Sequence, residues 1–233
     1  MATRRLLCIP YAGSGALAFR AWAARLPTHI EAYAVQLPGR ENRLREPALD
    51  AWPAMMDALI RAVTPLPFAP TAIFGHSLGA VIGLELARWM NREQTGRLSH
   101  LFVSGRPWPG YGAGRCGDTL LELSDQDLLQ ALDKRFGSLA TSLAHPDIRD
   151  MTLPILRADL RLLDSYRYLP APALDCPMTV FAGIRDATTP AEALQGWCGE
   201  SSGSCSVRML DGQHFYLDEQ CEPLVADIAA CLA

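Results

Sequence analysis

Phe74-Gly75-His76-Ser77-Leu78-Gly79 is the stretch that leaves this chain the least freedom. It follows the apolar run Thr71-Ala72-Ile73-Phe74, which reads as a buried strand, and it leads into residues 80–90, a breaker-free segment that reads as a helix. A strand that becomes a helix across Gly-x-Ser-x-Gly bends so sharply that only glycine fits beside the backbone at 75 and 79, and the serine is lifted out of the sheet. The following helix carries Val81, Ile82, Leu84, Leu86, Ala87, Trp89 and Met90 and is apolar on nearly every face. Such a helix has to be buried on most sides, which points to an α/β fold built on a parallel sheet.

The rest of the composition bounds the answer. At 233 residues and 49% hydrophobic, the chain can bury a large core and suits one α/β domain with a modest insertion. Seven cysteines are scattered without a Cys-x-x-Cys or a His/Cys cluster, so neither a zinc site nor a disulfide framework is expected. A formal charge of −4 with no basic stripe argues against nucleic acid, and no apolar run approaches a membrane span. Arg4-Arg5 precedes only the short run Leu6-Leu7-Cys8-Ile9 before Pro10, too little for an export signal. A reduced, cytoplasmic protein that needs no metal is the expectation, with a monomer as its state.

Taken in order, residues 6–9 read as a strand ending in Pro10-Tyr11-Ala12-Gly13-Ser14-Gly15. A dinucleotide loop would need a third glycine that is missing after Gly13-Ser14-Gly15. A loop that donates a backbone N–H to an oxyanion fits better, with Ala12 as donor; a plain flexible turn is the bland alternative. Residues 18–25 read as a helix turning Phe19, Trp22 and Leu26 inward, and residues 32–37 as the next strand. Arg40, Arg43 and Arg45 beside Glu41 and Glu46 read as a self-paired surface, with substrate docking as the alternative. A helix capped by Asp50 is expected over 50–63.

A strand over 98–104 carries His100 near its start, the wrong edge for chemistry in a parallel sheet, so His100 reads as structural. Residues 105–171 then leave the strand–helix rhythm. Ser124 looks like the cap of a helix ended by Gly137, and a second helix is expected to restart at Pro154. The excursion, taken as 107–171 between core segments 1–106 and 172–233, is expected to form a helical lid; packing on the sheet edge is the other possibility. Strands at 178–182 and 207–210 and a final helix over 222–232 complete the order.

Among the five histidines, His145 and His214 follow Ser77 without lying at the start of a strand. His145 precedes Pro146 inside the excursion, whereas His214 follows the last strand through a short turn, so His214 is taken as the base. Asp175 precedes its strand and Asp211 lies three residues before the histidine; Asp186 sits one loop after a strand, at the same edge. The order Ser77, Asp186, His214 is that of the α/β-hydrolases.

With these residues in view, the chain resembles the type II (editing) thioesterases that accompany nonribosomal peptide and polyketide synthases. Ile9-Pro10-Tyr11-Ala12-Gly13 is similar to that family's Phe-Pro-His-Ala-Gly, Gln36-Leu37-Pro38-Gly39-Arg40-Glu41-Asn42-Arg43 to its Leu-Pro-Gly-Arg-Glu-x-Arg, Leu153-Pro154-Ile155-Leu156-Arg157-Ala158-Asp159 to its Leu-Pro-x-Leu-Arg-Ala-Asp, and Gly212-Gln213-His214-Phe215 to its Gly-Gly-His-Phe. Tyr11 stands where the family commonly has His, Gln213 where it has Gly, and Ala187 where Pro is frequent. The resemblance implies an α/β-hydrolase whose Ser77, His214 and Asp186 hydrolyse acyl groups from the phosphopantetheine arm of acyl or peptidyl carrier proteins. It implies backbone N–H groups of Ala12 and Leu78 as the oxyanion hole, a substrate contact from Tyr11, and no cofactor. A small-molecule carboxylesterase, an acyltransferase and a non-catalytic binding protein on the same scaffold are the competing readings.

Overall fold

A computed structural model describes residues 3–111, 119–137 and 145–233. Six strands, β1 (Arg4–Ile9), β2 (Ile30–Ala34), β3 (Thr71–His76), β4 (Leu98–Ser104), β5 (Met178–Gly183) and β6 (Cys205–Leu210), form one sheet in the order β2-β1-β3-β4-β5-β6. Every pairing is parallel. The chain runs outward from β1 to β2 and returns to β3, so the order reverses between β1 and β3. The carboxyl ends of those two strands frame the crevice where a doubly wound sheet offers a site.

Side chains alternate across the sheet. Leu7, Ile9, Ile73, Leu101, Val103 and Val180 turn to one core, under α1 (Trp52–Val63) and α2 (Leu78–Glu93). Leu6, Cys8, Ala72, Phe74, Phe102 and Phe181 turn to the other, with Phe19, Trp22 and the terminal helix (Cys221–Cys231). Two buried faces explain why these strands read as continuous apolar runs. In α2, Val81, Ile82, Leu84 and Leu86 are fully buried. Each contributes about 1.5–3 kcal/mol, against propensity differences of about 0.7 kcal/mol or less per residue, so packing decides that this segment is a helix.

Several expectations are corrected. Instead of a helix over 18–25 there is a 3-10 turn at Ala16–Phe19 followed by further turns, with Trp22 N–H on Phe19 C=O (2.9 Å) and Arg25 N–H on Trp22 C=O (2.9 Å). Phe19 and Trp22 are buried all the same, because a spacing of three satisfies a 3.0-residue turn as well as a 3.6-residue one. The second strand lies at 30–34 rather than 32–37, set by its pairing with β1 from Arg4 onward. Asp50 is not the cap of α1, whose N-cap is Ala51; its carboxylate takes Nε of Arg161 at 3.0 Å.

Between β4 and β5 lie α3 (Asp125–Phe136) and α4 (Pro146–Ser165). Ser124 caps α3 through Asp127 N–H (3.2 Å), and Gly137 ends it at φ 69°. The second helix does not restart at Pro154 but runs through it, held by the burial of Leu153, Ile155, Leu156, Ala158 and Leu162 on either side. Leu128, Leu132, Leu153 and Leu156 join the two helices in a core of their own, against which Ala12 packs. Cys198 and Cys205 form a disulfide, against the expectation of none: the turn after Trp197 folds back onto β6, a closure that their spacing alone does not reveal. Cys116 lies outside the described residues. No helix among the described residues is long and apolar enough to cross a membrane.

Candidate active site

Ser77 sits at φ 54°, ψ −110°, a left-handed conformation that is strained for any residue with a Cβ. Its N–H is tied to Ser104 C=O of β4 (2.8 Å), and its own C=O accepts Ala80 N–H (3.1 Å) as α2 begins. The flanking glycines leave no alternative, because a Cβ at Gly75 would run into the Gly79 carbonyl and one at Gly79 into the Ile9 carbonyl of β1. The bend read from the sequence is therefore forced by close packing of three backbone segments.

At the same edge, the loop after β5 carries Asp186 and the loop after β6 carries His214, both buried. Nδ1–H of His214 donates to Oδ2 of Asp186 at 2.7 Å, which leaves Nε2 as the other face of the ring. Oδ1 of Asp186 accepts the N–H (2.9 Å) and hydroxyl (2.6 Å) of Thr188. Burial pushes the Asp186 carboxyl up, but His214 and the two Thr188 donors outweigh it and hold the group below its ordinary value. Thr188 was not singled out in the sequence; an Asp-x-Thr turn after a strand is the signal that marks it.

His76, the residue before Ser77, places its ring 5.0 Å from that of His214. Its Nδ1 meets Ser104 Oγ at 2.8 Å, and that hydroxyl meets Tyr216 Oη at 2.5 Å. Burial and the neighbouring His214 hold His76 well below the ordinary histidine value, so it is a neutral member of the floor under the site. The other histidines stand apart. His100 stacks on Phe102 at 4.0 Å and meets Thr179 at 3.0 Å, while His145 is exposed beside Asp147.

The loop after β1 closes over the elbow. Tyr11 is half-buried, its ring 5.0 Å from Phe215 and 5.7 Å from His76, and burial raises its phenol. Ser14 N–H donates to Tyr11 C=O (3.1 Å) and Gly13 N–H to Oδ2 of Asp159 (2.8 Å), whereas Ala12 N–H meets no acceptor among the described residues. Leu78 is the first residue of α2, where N–H groups lack intrahelical partners. From above, Phe136 at the end of α3 sets its ring 4.5 Å from that of His214.

The arginine cluster divides. Arg43 is self-paired with Glu46 on the surface, as expected. Arg40 is not a surface residue: it is 2% exposed and forms a two-pronged ion pair with Asp159 of α4, at 2.7 and 2.8 Å. The sequence reading missed this pair, although both residues lie in segments it had marked. No group of three metal-ligating side chains occurs among the described residues.

Residues 4–232 match the family model described as a thioesterase domain. The gramicidin S biosynthesis protein GrsT of Aneurinibacillus migulanus is 37% identical over 215 residues, which cover 92% of this chain and 83% of that protein. Among solved structures, the RedJ thioesterase from the prodiginine biosynthetic pathway in Streptomyces coelicolor superposes with a TM-score of 0.88 at 36% identity, covering 99% of this chain and 86% of that one. The type II thioesterase BorB from the borrelidin biosynthetic cluster gives a TM-score of 0.86 at 32% identity, with 99% and 93% covered.

Proposed function

The chain belongs to the thioesterase domain family, and from that premise we propose that it hydrolyses acyl thioesters carried on the phosphopantetheine arm of acyl or peptidyl carrier proteins, clearing misprimed or stalled groups. The observation that carries the reading is the 2.7 Å bond between His214 and Asp186 at the sheet edge where Ser77 is held in its strained turn. GrsT, named for gramicidin S biosynthesis, and BorB, a type II thioesterase from the borrelidin biosynthetic cluster, support the class of substrate.

In this reading Nε2 of His214 takes the Ser77 hydroxyl proton as Oγ attacks the thioester carbonyl. Asp186 keeps the imidazole in the required tautomer and stabilises the imidazolium. The N–H groups of Ala12 and Leu78 receive the oxyanion; losing one such donor typically costs about 2.7–4 kcal/mol of barrier. The thiol departs with the proton from His214, and its low pKa, about 8.5, makes it a better leaving group than an alcohol. Water then enters, His214 removes its proton, and the acyl-enzyme is cleared. Each step draws only on these side chains, N–H groups and water, so no cofactor is proposed. Tyr11, next to Ala12 in the oxyanion loop, is proposed to face the acyl group. A monomer working in the cytoplasm completes the proposal.

Intact-mass monitoring of an acetyl-phosphopantetheinyl carrier protein tests it, with Ser77→Ala as control and an aryl ester as comparison substrate. Loss of the acetyl mass with only the unmutated enzyme is the expected result. A surviving thioester beside a cleaved aryl ester would leave a serine esterase and remove the carrier-protein assignment.

A further inference from the structure

The segment Gln36-Leu37-Pro38-Gly39-Arg40-Glu41 lies outside the triad and offers no group to a reacting atom, yet its polar side chains converge on the backbone of the opening loop. Gln36 Oε1 accepts Ala16 N–H at 2.8 Å, the Glu41 carboxylate accepts Leu17 N–H at 3.2 Å, and Arg40 Nη1 donates to Ser14 C=O at 3.0 Å. Asp159, reaching down from α4, accepts Gly13 N–H with the same oxygen that takes Arg40 Nη1. Four consecutive-to-near-consecutive backbone groups, at 13, 14, 16 and 17, are thus gripped by side chains from two distant parts of the chain.

We propose that Arg40 and Asp159 are positioning residues that set the oxyanion loop: together they lock the Tyr11–Ser14 turn so that Ala12 N–H faces the space beside Ser77. The turn is closed by Ser14 N–H on Tyr11 C=O, and its third residue, Gly13, lies at φ 78°, the geometry in which the central peptide is turned over relative to the commoner turn. That central peptide joins Ala12 to Gly13. With Asp159 in place, its N–H end is held toward α4; a flipped peptide would aim the Ala12 carbonyl at a carboxylate. Arg40 holds the Ser14 carbonyl and neutralises the acid. Ser14 N–H in turn pins Tyr11 C=O, and Ala12 N–H, at the other end of that planar Tyr11–Ala12 peptide, is thereby fixed pointing the opposite way. The same pair fixes α4 to the core, where Leu156 packs against Gly13. This half of the excursion is thereby part of the catalytic scaffold.

The inference rests on the reading of Ser77 as nucleophile and Ala12 as oxyanion donor. Its test uses small substrates, an acetyl thioester of a simple thiol and nitrophenyl acetate, so that it is independent of any carrier protein. Arg40→Met/Asp159→Leu removes both charges at once, replaces a buried ion pair with apolar groups of similar length, and is expected to keep the fold. Asp159→Asn retains shape and is read alongside it, and carries the test alone if the double variant does not fold. The expected result is a fall in kcat of about tenfold to a hundredfold, short of the ~10²–10³ for deleting a donor outright. KM should stay within about twofold, and affinity for a boronic acid, which forms a tetrahedral adduct on Ser77, should weaken by the same factor as kcat. A merely structural pair would leave kcat and boronate affinity of the folded protein unchanged, and that outcome overturns the proposal. If the unmutated enzyme turns over neither substrate, the reading of Ser77 falls and the clamp with it; if it turns over both and the variants match it, only the clamp falls.

Discussion

Trp108 donates its indole N–H to Oε1 of Glu200 at 2.7 Å. Tyr168 gives its hydroxyl to the same oxygen at 2.6 Å, and Arg88 of α2 takes Oε2 at 2.8 Å. Trp108 lies where the chain leaves the core after β4 and Tyr168 where it returns, so one buried carboxylate ties both ends of the helical excursion to the central helix. Glu200→Gln leaves Arg88 facing a neutral acceptor and breaks a buried ion pair. Because Arg88 keeps its pair with Glu85 at 2.9 Å, a loss of about 1.5 kcal/mol in urea unfolding is expected, with faster proteolytic cleavage between 107 and 171. An unchanged urea midpoint would mean that the excursion is anchored by apolar packing alone.

Thr188 is expected to matter through Asp186. Because the Asp186 carboxyl lies below its ordinary value of 3.8 in the folded protein, it contributes stability that is present above that value and lost as pH falls through the folded one. Thr188→Val removes one donor to Oδ1 and raises the folded value. The drop in Tm between pH 5 and pH 3 should therefore be smaller in the variant, and kcat at pH 7 lower. A steeper drop would contradict the assigned sign.

The strain at Ser77 can be separated from its chemistry. Ser77→Ala and Ser77→Gly both remove the hydroxyl and should both be inactive, but only glycine adopts φ 54° freely. Ser77→Gly is expected to be more stable than Ser77→Ala by about 1 kcal/mol, read from denaturant midpoints. Equal stability would show that the turn imposes no strain.

Acid stability should depend on a histidine remote from the site. Burial, with Arg208 nearby, lowers His100 from 6.5 to about 4. The unfolded chain therefore takes up a proton first, and the stability that His100 contributes above pH 6.5 is lost as pH falls from 6.5 to about 4, about 3 kcal/mol in all. His100→Gln should flatten the fall of Tm across that window. It should not abolish it, since neutral His76 acts with the same sign.

Much of the candidate site's layout was legible in the residues because its signals are local. The elbow is written in Gly75, Ser77 and Gly79, and the strands in apolar runs bounded by turns. Asp186 and His214 could be chosen over other carboxylates and histidines because in a parallel sheet the carboxyl end of a strand follows from chain direction alone. Helix boundaries were less legible. Pro154 reads as a helix start, yet α4 accommodates it because burial on both sides outweighs one missing hydrogen bond. Thr188 by its residue type alone carries no mark in the sequence and Phe136 reads only as one more apolar position of its helix, since neither residue type is distinctive until its partner is known.

By itself the sequence determined the parallel α/β framework, the sharp turn at Ser77 and the order in which Ser77, Asp186 and His214 reach the carboxyl edge of the sheet, since these depend on periodicity, local sterics and chain direction. Only the tertiary structure decided that Arg40 leaves the surface to meet Asp159, 119 residues away, that Glu200 joins the ends of the excursion, and that Phe136 rests on His214. A charged side chain carries no local mark of its partner. Whether it is solvated or buried against an opposite charge depends on which helix crosses above it, and that is set by the packing of the whole chain.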